Sequence, residues 1–390
     1  MPQRSPGLLR THRDRDISIV LLTGIGDVVH GLPLACDLKR DDPRRRVLWV
    51  AEPAPAEVVR HHPAVDEVVV FDKSRGLHGI VELRRAFRGR RTDVTLNMQR
   101  YFKSVFPTLL SGAPVRVGLP PSKTRDGVRL FNTHHLPEQP WRHIQDLLLD
   151  YRRVLGLADD APVEWRIAFT AGERNAQRAF FDALPDGRPV AGVVLATANP
   201  KKDWPVRRYV ELVDALGDGL GYTVVLVGGP APEEKAKALE VRRACRAEPV
   251  DALGDSVRRM MWMVDGVDVL VSPDTGPLHI AHALAVPVVG LYGHTNPWRV
   301  GPYRRYRDLV VDAYTEPGAA PDPAGYEPKQ GRLERITTAD VLARVERARE
   351  CYGAGRRRPL RTGPEAPDTS VPAATDPIPA PAFAGRRRAP

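Results

Sequence analysis

A chain of 390 residues, 42% hydrophobic and 27% charged, has the length for two ordinary domains that each bury a core. It contains no run of eighteen apolar residues, and its start, Met1-Pro2-Gln3-Arg4-Ser5-Pro6, lacks an apolar signal core. A cytoplasmic protein is therefore expected, with the inner face of the cell membrane as a further place of work. Cys36, Cys245 and Cys351 are far apart with no CxxC spacing, which argues against a disulfide framework or structural zinc. Of the net charge of +10, residues 354–390 supply +4, from seven arginines and three acids. The remaining +6 suits anionic ligands. With dispersed basic residues and no nucleic-acid motif, a nonenzymatic nucleic-acid-binding protein is only an alternative.

In chain order, residues 1–16 read as a flexible polar leader carrying the sole Asp-x-Asp, Asp14-Arg15-Asp16. That pair precedes the first strand instead of ending one inside a nucleotide domain, so no metal site is expected. An apolar strand over 17–22 then runs into Thr23-Gly24-Ile25-Gly26-Asp27 and a helix over 28–39. The glycines let backbone approach a ligand, and Asp27 projects from the helix mouth, either as a cap or as a reacting carboxylate. Position 29 is valine, so the third glycine of a dinucleotide fingerprint is missing, and Glu52 does not rescue a dehydrogenase reading. Strands over 47–50, 67–71 and 94–96 and helices over 55–61, 81–88 and 145–155 follow.

The stretch 158–189 is polar and punctuated by Pro185-Asp186-Gly187-Arg188-Pro189, which places a domain junction there, between domains of 17–165 and 166–353. A second series of strands occupies 190–195, 223–227, 267–271 and 286–292. Such alternation predicts parallel sheets wrapped by helices, with ligands beyond the carboxyl ends of the strands. After Gly228-Gly229-Pro230, Glu233 and Glu234 stand where an acid meets ribose hydroxyls or simply charges a first helical turn. The run Ser272-Pro273-Asp274-Thr275-Gly276-Pro277-Leu278-His279 forms a second strand-to-helix mouth, whose N–H groups can receive phosphate. His279, one turn in, is either a core residue or part of that site. A helix over 338–350, capped by Thr338, turns Val341, Leu342, Val345 and Ala348 inward. Residues 354–390 read as a disordered tail whose Arg356–Arg358 and Arg386–Arg388 runs are solvated charge.

Gly26-Asp27-Val28-Val29-His30-Gly31-Leu32-Pro33, Lys202-Asp203-Trp204-Pro205, and Asp274–His279 with the Ala-Leu-Ala-Val-Pro-Val-Val-Gly-Leu-Tyr-Gly-His-Thr-Asn-Pro run of 283–297 resemble glycosyltransferase family 9, the heptosyltransferases. The resemblance extends over about 17–350. It implies a GT-B fold: two facing Rossmann-like domains, the N-terminal one for the acceptor and the C-terminal one for a nucleotide sugar, with the terminal helix crossing back to the first. It further implies inverting, metal-independent transfer of a sugar, typically heptose from ADP-heptose, without a cofactor. The acceptor would be an anionic glycan, a lipid-linked glycan or a small glycoside, with a peripheral membrane contact and no nucleic acid.

Residue by residue, Asp27 matches the general base, Lys202 the phosphate-contacting lysine and Thr197 a phosphate-binding hydroxyl. Thr275 and Gly276 fall to the diphosphate, Asp274 and His279 to the donor sugar, and Glu233 to the ribose. Asn97-Met98-Gln99-Arg100-Tyr101-Phe102-Lys103-Ser104 occupies the place of the family's Asp-x-Gln-Gly-x-x-Lys-Ser, from which Asn97 and Arg100 depart. Gln99, Arg100, Lys103 and Arg125, with Lys123 and Arg60, are the acceptor-side candidates for a carboxylate or phosphate. A GT-B-like sugar-nucleotide epimerase is the alternative enzyme.

Overall fold

A computed structural model describes residues 15–363. The first half builds a sheet from β1 (Asp16–Val20), β2 (Arg46–Ala51), β3 (Glu67–Val70), β4 (Val94–Asn97), β5 (Val115–Gly118) and β6 (His134–His135), ordered β3-β2-β1-β4-β5-β6. The second builds another from β7 (Val190–Val194), β8 (Thr223–Val227), β9 (Val250–Asp251), β10 (Val269–Pro273), β11 (Val288–Tyr292) and β12 (Val311–Asp312), ordered β12-β11-β10-β7-β8-β9. Every pairing is parallel. Both halves thus repeat one doubly wound order, with its switch point between β1 and β4 and between β7 and β10. Ligands of such sheets bind at the carboxyl ends flanking the switch point.

The sheets are wrapped by α1 (Ile25–Asp41), α2 (Pro53–Val59), α3 (Gly76–Phe87), α4 (Val105–Leu110) and α5 (Ile144–Leu155) in the first half. In the second they are α6 (Ala171–Asp182), α7 (Val206–Asp214), α8 (Pro232–Ala244), α9 (Val257–Gly266), α10 (Gly276–Ala283), α11 (Pro297–Val300) and α12 (Thr338–Tyr352). β7, β8, β10 and β11 are buried along their whole length, which is why their sequences read as continuous apolar runs without alternation.

Several expectations are corrected. Each sheet has six strands instead of four, because strands as short as β6, β9 and β12 carry no readable period. The 267–271 strand sits two residues later, and α3 starts at Gly76, five residues earlier than expected. Within the polar-looking junction, Trp165, Ile167 and Phe169 are all buried, and Ala168 with them; the spacing of two puts the three large side chains on one face of an extended stretch that enters the core. His62 Nε2 reaches Trp165 O at 2.7 Å, tying this stretch to the turn after α2.

At the other end, the cap of α12 is Thr337, reciprocally bonded with Asp340, instead of Thr338, and Leu342 is only half-buried. This helix packs on α7, β11 and β12, all in its own half. The return to the first half is made by the chain after α11: His143 Nε2 meets Gly301 O at 2.8 Å, and Tyr303 donates to Asp146 at 2.6 Å. Nor does order end at Ala354, which is fully buried. Arg357 and Arg358 pair with Asp268, and Arg361 with Asp265. Both aspartates are buried at the entry to β10, and a buried carboxylate demands a cation or donors, so this arginine run is docked charge. Asp14, the rest of the leader to residue 14, the tail from 364 and Arg386–Arg388 lie outside the described residues.

Candidate active site

Four loops at the two switch points converge. Those after β1, β7 and β10 enclose a cavity of about 530 Å³ lined by Asp27, Thr197, Lys202, Asp274, Thr275, Gly276 and His279, with His30 and Thr295. The loop after β4 supports the first mouth: Gln99 is buried, and its Oε1 accepts from Leu22 N at 2.9 Å and Thr23 N at 3.3 Å. The mouths of α1 and α10 meet closely. A Cβ on Gly26 would lie 2.5 Å from the His279 ring, and one on Gly276 would lie 2.8 Å from Ile25; only glycine permits this approach. Neither helix has a side-chain N-cap bond, so both positive ends open on the cavity.

The two aspartates differ. Asp27 is exposed to the cavity, and no hydrogen bond or ion pair holds its carboxylate among the described residues. The cleft walls displace bulk water and raise its proton affinity; Asp274 adds to this, while His279, Arg299 and Lys103 oppose it. Asp274 is buried and fully engaged. It accepts from Lys202 Nζ at 2.7 Å, Thr295 Oγ1 at 2.6 Å and His279 Nε2 at 3.3 Å. Burial alone would raise its pKa, but His279 and Lys202 outweigh that and hold it well below the usual carboxylate range.

Lys202 therefore stands at the cavity edge with one aspartate already bound. Thr197 closes a tight turn: its Oγ1 donates to Asn199 O at 2.6 Å, and its N–H donates to Asp203 at 2.9 Å. Asp203 in turn pairs with Lys237 at 2.6 Å. Of the two acids after β8, Glu233 is exposed, whereas Glu234 folds back to accept from Gly229 N–H; neither lines the cavity.

On the other wall, Lys103 donates to Thr23 Oγ1 and to Glu52 at 3.2 Å. Arg100 stacks with Trp141, as does Lys123. Arg125 is exposed beside them, its N–H on Arg100 O at 2.7 Å. Arg60 does not join this group; it pairs with Glu57 on its own helix at 2.7 Å.

Three contributors escaped the sequence reading. Thr295 belongs to the 283–297 run, but nothing in its local pattern marks a hydroxyl aimed at Asp274. His30, one turn beyond Asp27, packs its ring 4.9 Å from that of His279. Its Nδ1 is bonded to Gln145 Oε1 at 3.1 Å, and its Nε2 is buried without a partner among the described residues. Burial, and then the nearby His279, push its pKa well below the ordinary histidine value. The spacing of Asp27 and His30 on one helix face was the available signal. Arg299 comes from a segment with no ligand motif at all.

The sequence model of "Glycosyltransferase family 9 (heptosyltransferase)" matches residues 80–318. The lipopolysaccharide core heptosyltransferase OpsX of Haemophilus influenzae is 25% identical over 309 residues, covering 79% of this chain and 87% of that protein. A family 9 glycosyl transferase from Veillonella parvula superposes with a TM-score of 0.72 at 23% identity, over 85% of this chain and 96% of that one. The Escherichia coli heptosyltransferase WaaC, solved with ADP, gives 0.67 at 24% identity, over 85% and 99%. With both halves doubly wound and a cleft between them, the fold is GT-B. The chain belongs to glycosyltransferase family 9, the heptosyltransferase family, and is a glycosyltransferase.

Proposed function

We propose that this enzyme transfers heptose from ADP-heptose to a hydroxyl of a glycan or glycoside acceptor, with inversion and without a metal ion. The observation that carries the reading is the pairing of an uncommitted Asp27 with a saturated Asp274 around one cavity. Asp27 stands free to take the acceptor's proton as its oxygen attacks the anomeric carbon. Its raised proton affinity brings it nearer the working range of a general base. On the opposite wall, Lys202 and the uncapped start of α10 supply positive charge where a departing diphosphate gathers negative charge. Attack from one wall with departure toward the other would invert the anomeric centre. OpsX by name works on the lipopolysaccharide core, and WaaC was solved with ADP and with an ADP-2-deoxy-2-fluoro heptose; these support the donor and a glycan acceptor.

Work at a membrane surface is part of this reading. Leu77 and Val81 on α3 and Leu130 are exposed, Arg84 and Arg85 continue the same face of α3, and Arg88 is exposed just past its end, a pattern suited to an anionic lipid surface.

The test is ADP release from ADP-heptose across a panel of glycan acceptors, with product stereochemistry read by NMR and the reaction repeated in excess EDTA. Acceptor-dependent ADP release, an inverted product and insensitivity to EDTA are expected. Loss of activity in EDTA that Mg²⁺ restores would overturn the metal-independent part. Epimerised nucleotide sugar with no transfer would overturn the whole.

A further inference from the structure

Beside the cavity, the two halves meet through four planar groups. Arg100 and Trp141 come from the first half, Arg299 and Tyr326 from the second. The Trp141 and Tyr326 rings are stacked with centroids 5.9 Å apart. Arg100 lies 5.2 Å from the Trp141 ring and 4.9 Å from the Tyr326 ring; Arg299 lies 4.8 Å and 4.1 Å from the same rings. Cation–π stacking orients guanidinium planes but leaves their charge uncompensated.

Among the described residues neither arginine pairs with a carboxylate. Arg100 spends Nε on Lys123 O at 2.8 Å and Nη1 on the Tyr326 hydroxyl at 2.9 Å. Arg299 Nε is buried without a partner among the described residues. Burial and then the charge of Arg100 disfavour the Arg299 cation, and the phenol of Tyr326 supports it only in part. Two guanidinium groups facing the same pair of rings repel each other, and such an arrangement is relieved by an anion between them. The frame is preorganised: Asn296 holds the loop before Tyr326 through Asp322 O at 2.7 Å and Gly325 O at 2.9 Å. All four side chains are half-buried, so a ligand can reach them. Arg299 is also close enough to Asp27 to lower its proton affinity, which sets this box next to the proposed base.

We propose that Arg100 and Arg299, framed by Trp141 and Tyr326, form a two-armed receptor for an anionic group of the acceptor, a carboxylate or phosphate carried close to the hydroxyl that reacts. Calling the ligand an acceptor rests on the transfer reading above; capture of the anion does not. Arg100 stands where the family segment has glycine, so one arm of the receptor is a departure of this chain from its family's pattern.

The experiment is calorimetric titration of the full chain with glucuronate, with inorganic phosphate, with neutral glucose and, separately, with ADP. Glucuronate or phosphate should bind more tightly than glucose, and whichever binds better names the anion. Arg299→Gln and Arg100→Gln should each weaken that binding roughly tenfold or more, the loss expected for a charged hydrogen bond, while ADP affinity stays within about twofold. If one variant fails to fold, the other, placed in the opposite half, carries the test. Anion binding unchanged in the variants would overturn the proposal. Equal weakening of ADP and of the anion would also overturn it, by assigning the arginines to the donor. Absence of transfer from ADP-heptose, with anion binding still lost in the variants, would defeat the transfer reading and leave the receptor standing.

Discussion

Asp27 at the mouth of α1 and Asp274 at the mouth of α10 share one cavity, yet their surroundings push their protons in opposite directions. Asp27 has no donor to stabilise its charge, so the loss of water dominates and its pKa rises. Asp274 has lost water too, but Lys202, Thr295 and His279 replace it and its pKa falls. The lesson is that role follows the partners supplied by distant segments and not the motif itself. A carboxylate without partners is available for proton transfer, whereas a saturated one is scaffolding that fixes a lysine and a histidine in place.

The sharpest break of this comparison is Asp27→Asn. Turnover should fall ~100- to 10,000-fold, the usual worth of a general base, with ADP affinity and melting temperature nearly unchanged because no partner is orphaned. Single-turnover assays and calorimetry read the two quantities separately; wild-type turnover in the variant would remove Asp27 from the chemistry. In the intact enzyme, activity should rise with pH as Asp27 loses its proton, along a limb displaced upward from the ordinary aspartate value.

Asp274→Asn should do the converse to the fold. It strips the counterion from Lys202 and turns one of the two acceptor oxygens into an amide donor, so that either His279 or Thr295 loses its acceptor, costing about 2–4 kcal/mol of stability, measurable by urea unfolding. Since the folded carboxyl is depressed, its stabilisation should be complete above the unfolded pKa of about 4. That contribution should disappear only as the pH drops through the depressed folded value.

The histidines around the mouths sharpen the contrast further. His30, His143 and His282 are all held below the ordinary value by burial, His282 down to about 3. The unfolded chain takes up these protons near pH 6.5 and the folded one does not, so stability should decline below that pH. The slope is up to about 1.4 kcal/mol per pH unit for each histidine, and for His282 it persists until its folded pKa. A melting temperature flat between pH 7 and 5 would contradict this.

The smallest effect concerns the half that carries α10. A chain ending at Gly353 loses the arginines on Asp265 and Asp268 that one ending at Gly363 keeps. The difference should be about 1 kcal/mol with little change in turnover, read by paired thermal melts. Identical melts would return the arginines of 354–363 to the solvated charge expected from the sequence.

Much of this protein was legible without coordinates. Buried parallel strands must be apolar and helix mouths at switch points need glycine, so β1 with Gly24-x-Gly26-Asp27 and β10 with Asp274-Thr275-Gly276 announced themselves, and the family motifs tied them to sugar transfer. Short strands and the Trp165-x-Ile167-x-Phe169 connector were hidden because their signals are briefer than a period or masked by polar neighbours. The sequence by itself determined that two series of parallel strands wrapped by helices would each present such a mouth, since local periodicity and backbone freedom are written in neighbouring residues. Tertiary structure alone decided that Thr295 and Lys202 would saturate Asp274, that nothing would saturate Asp27, and that Arg100 and Arg299 would face the same two rings. Those outcomes depend on the packing of segments up to 226 residues apart in the chain, where hydrogen-bond partners and desolvation are set by three-dimensional proximity and leave no trace in local pattern.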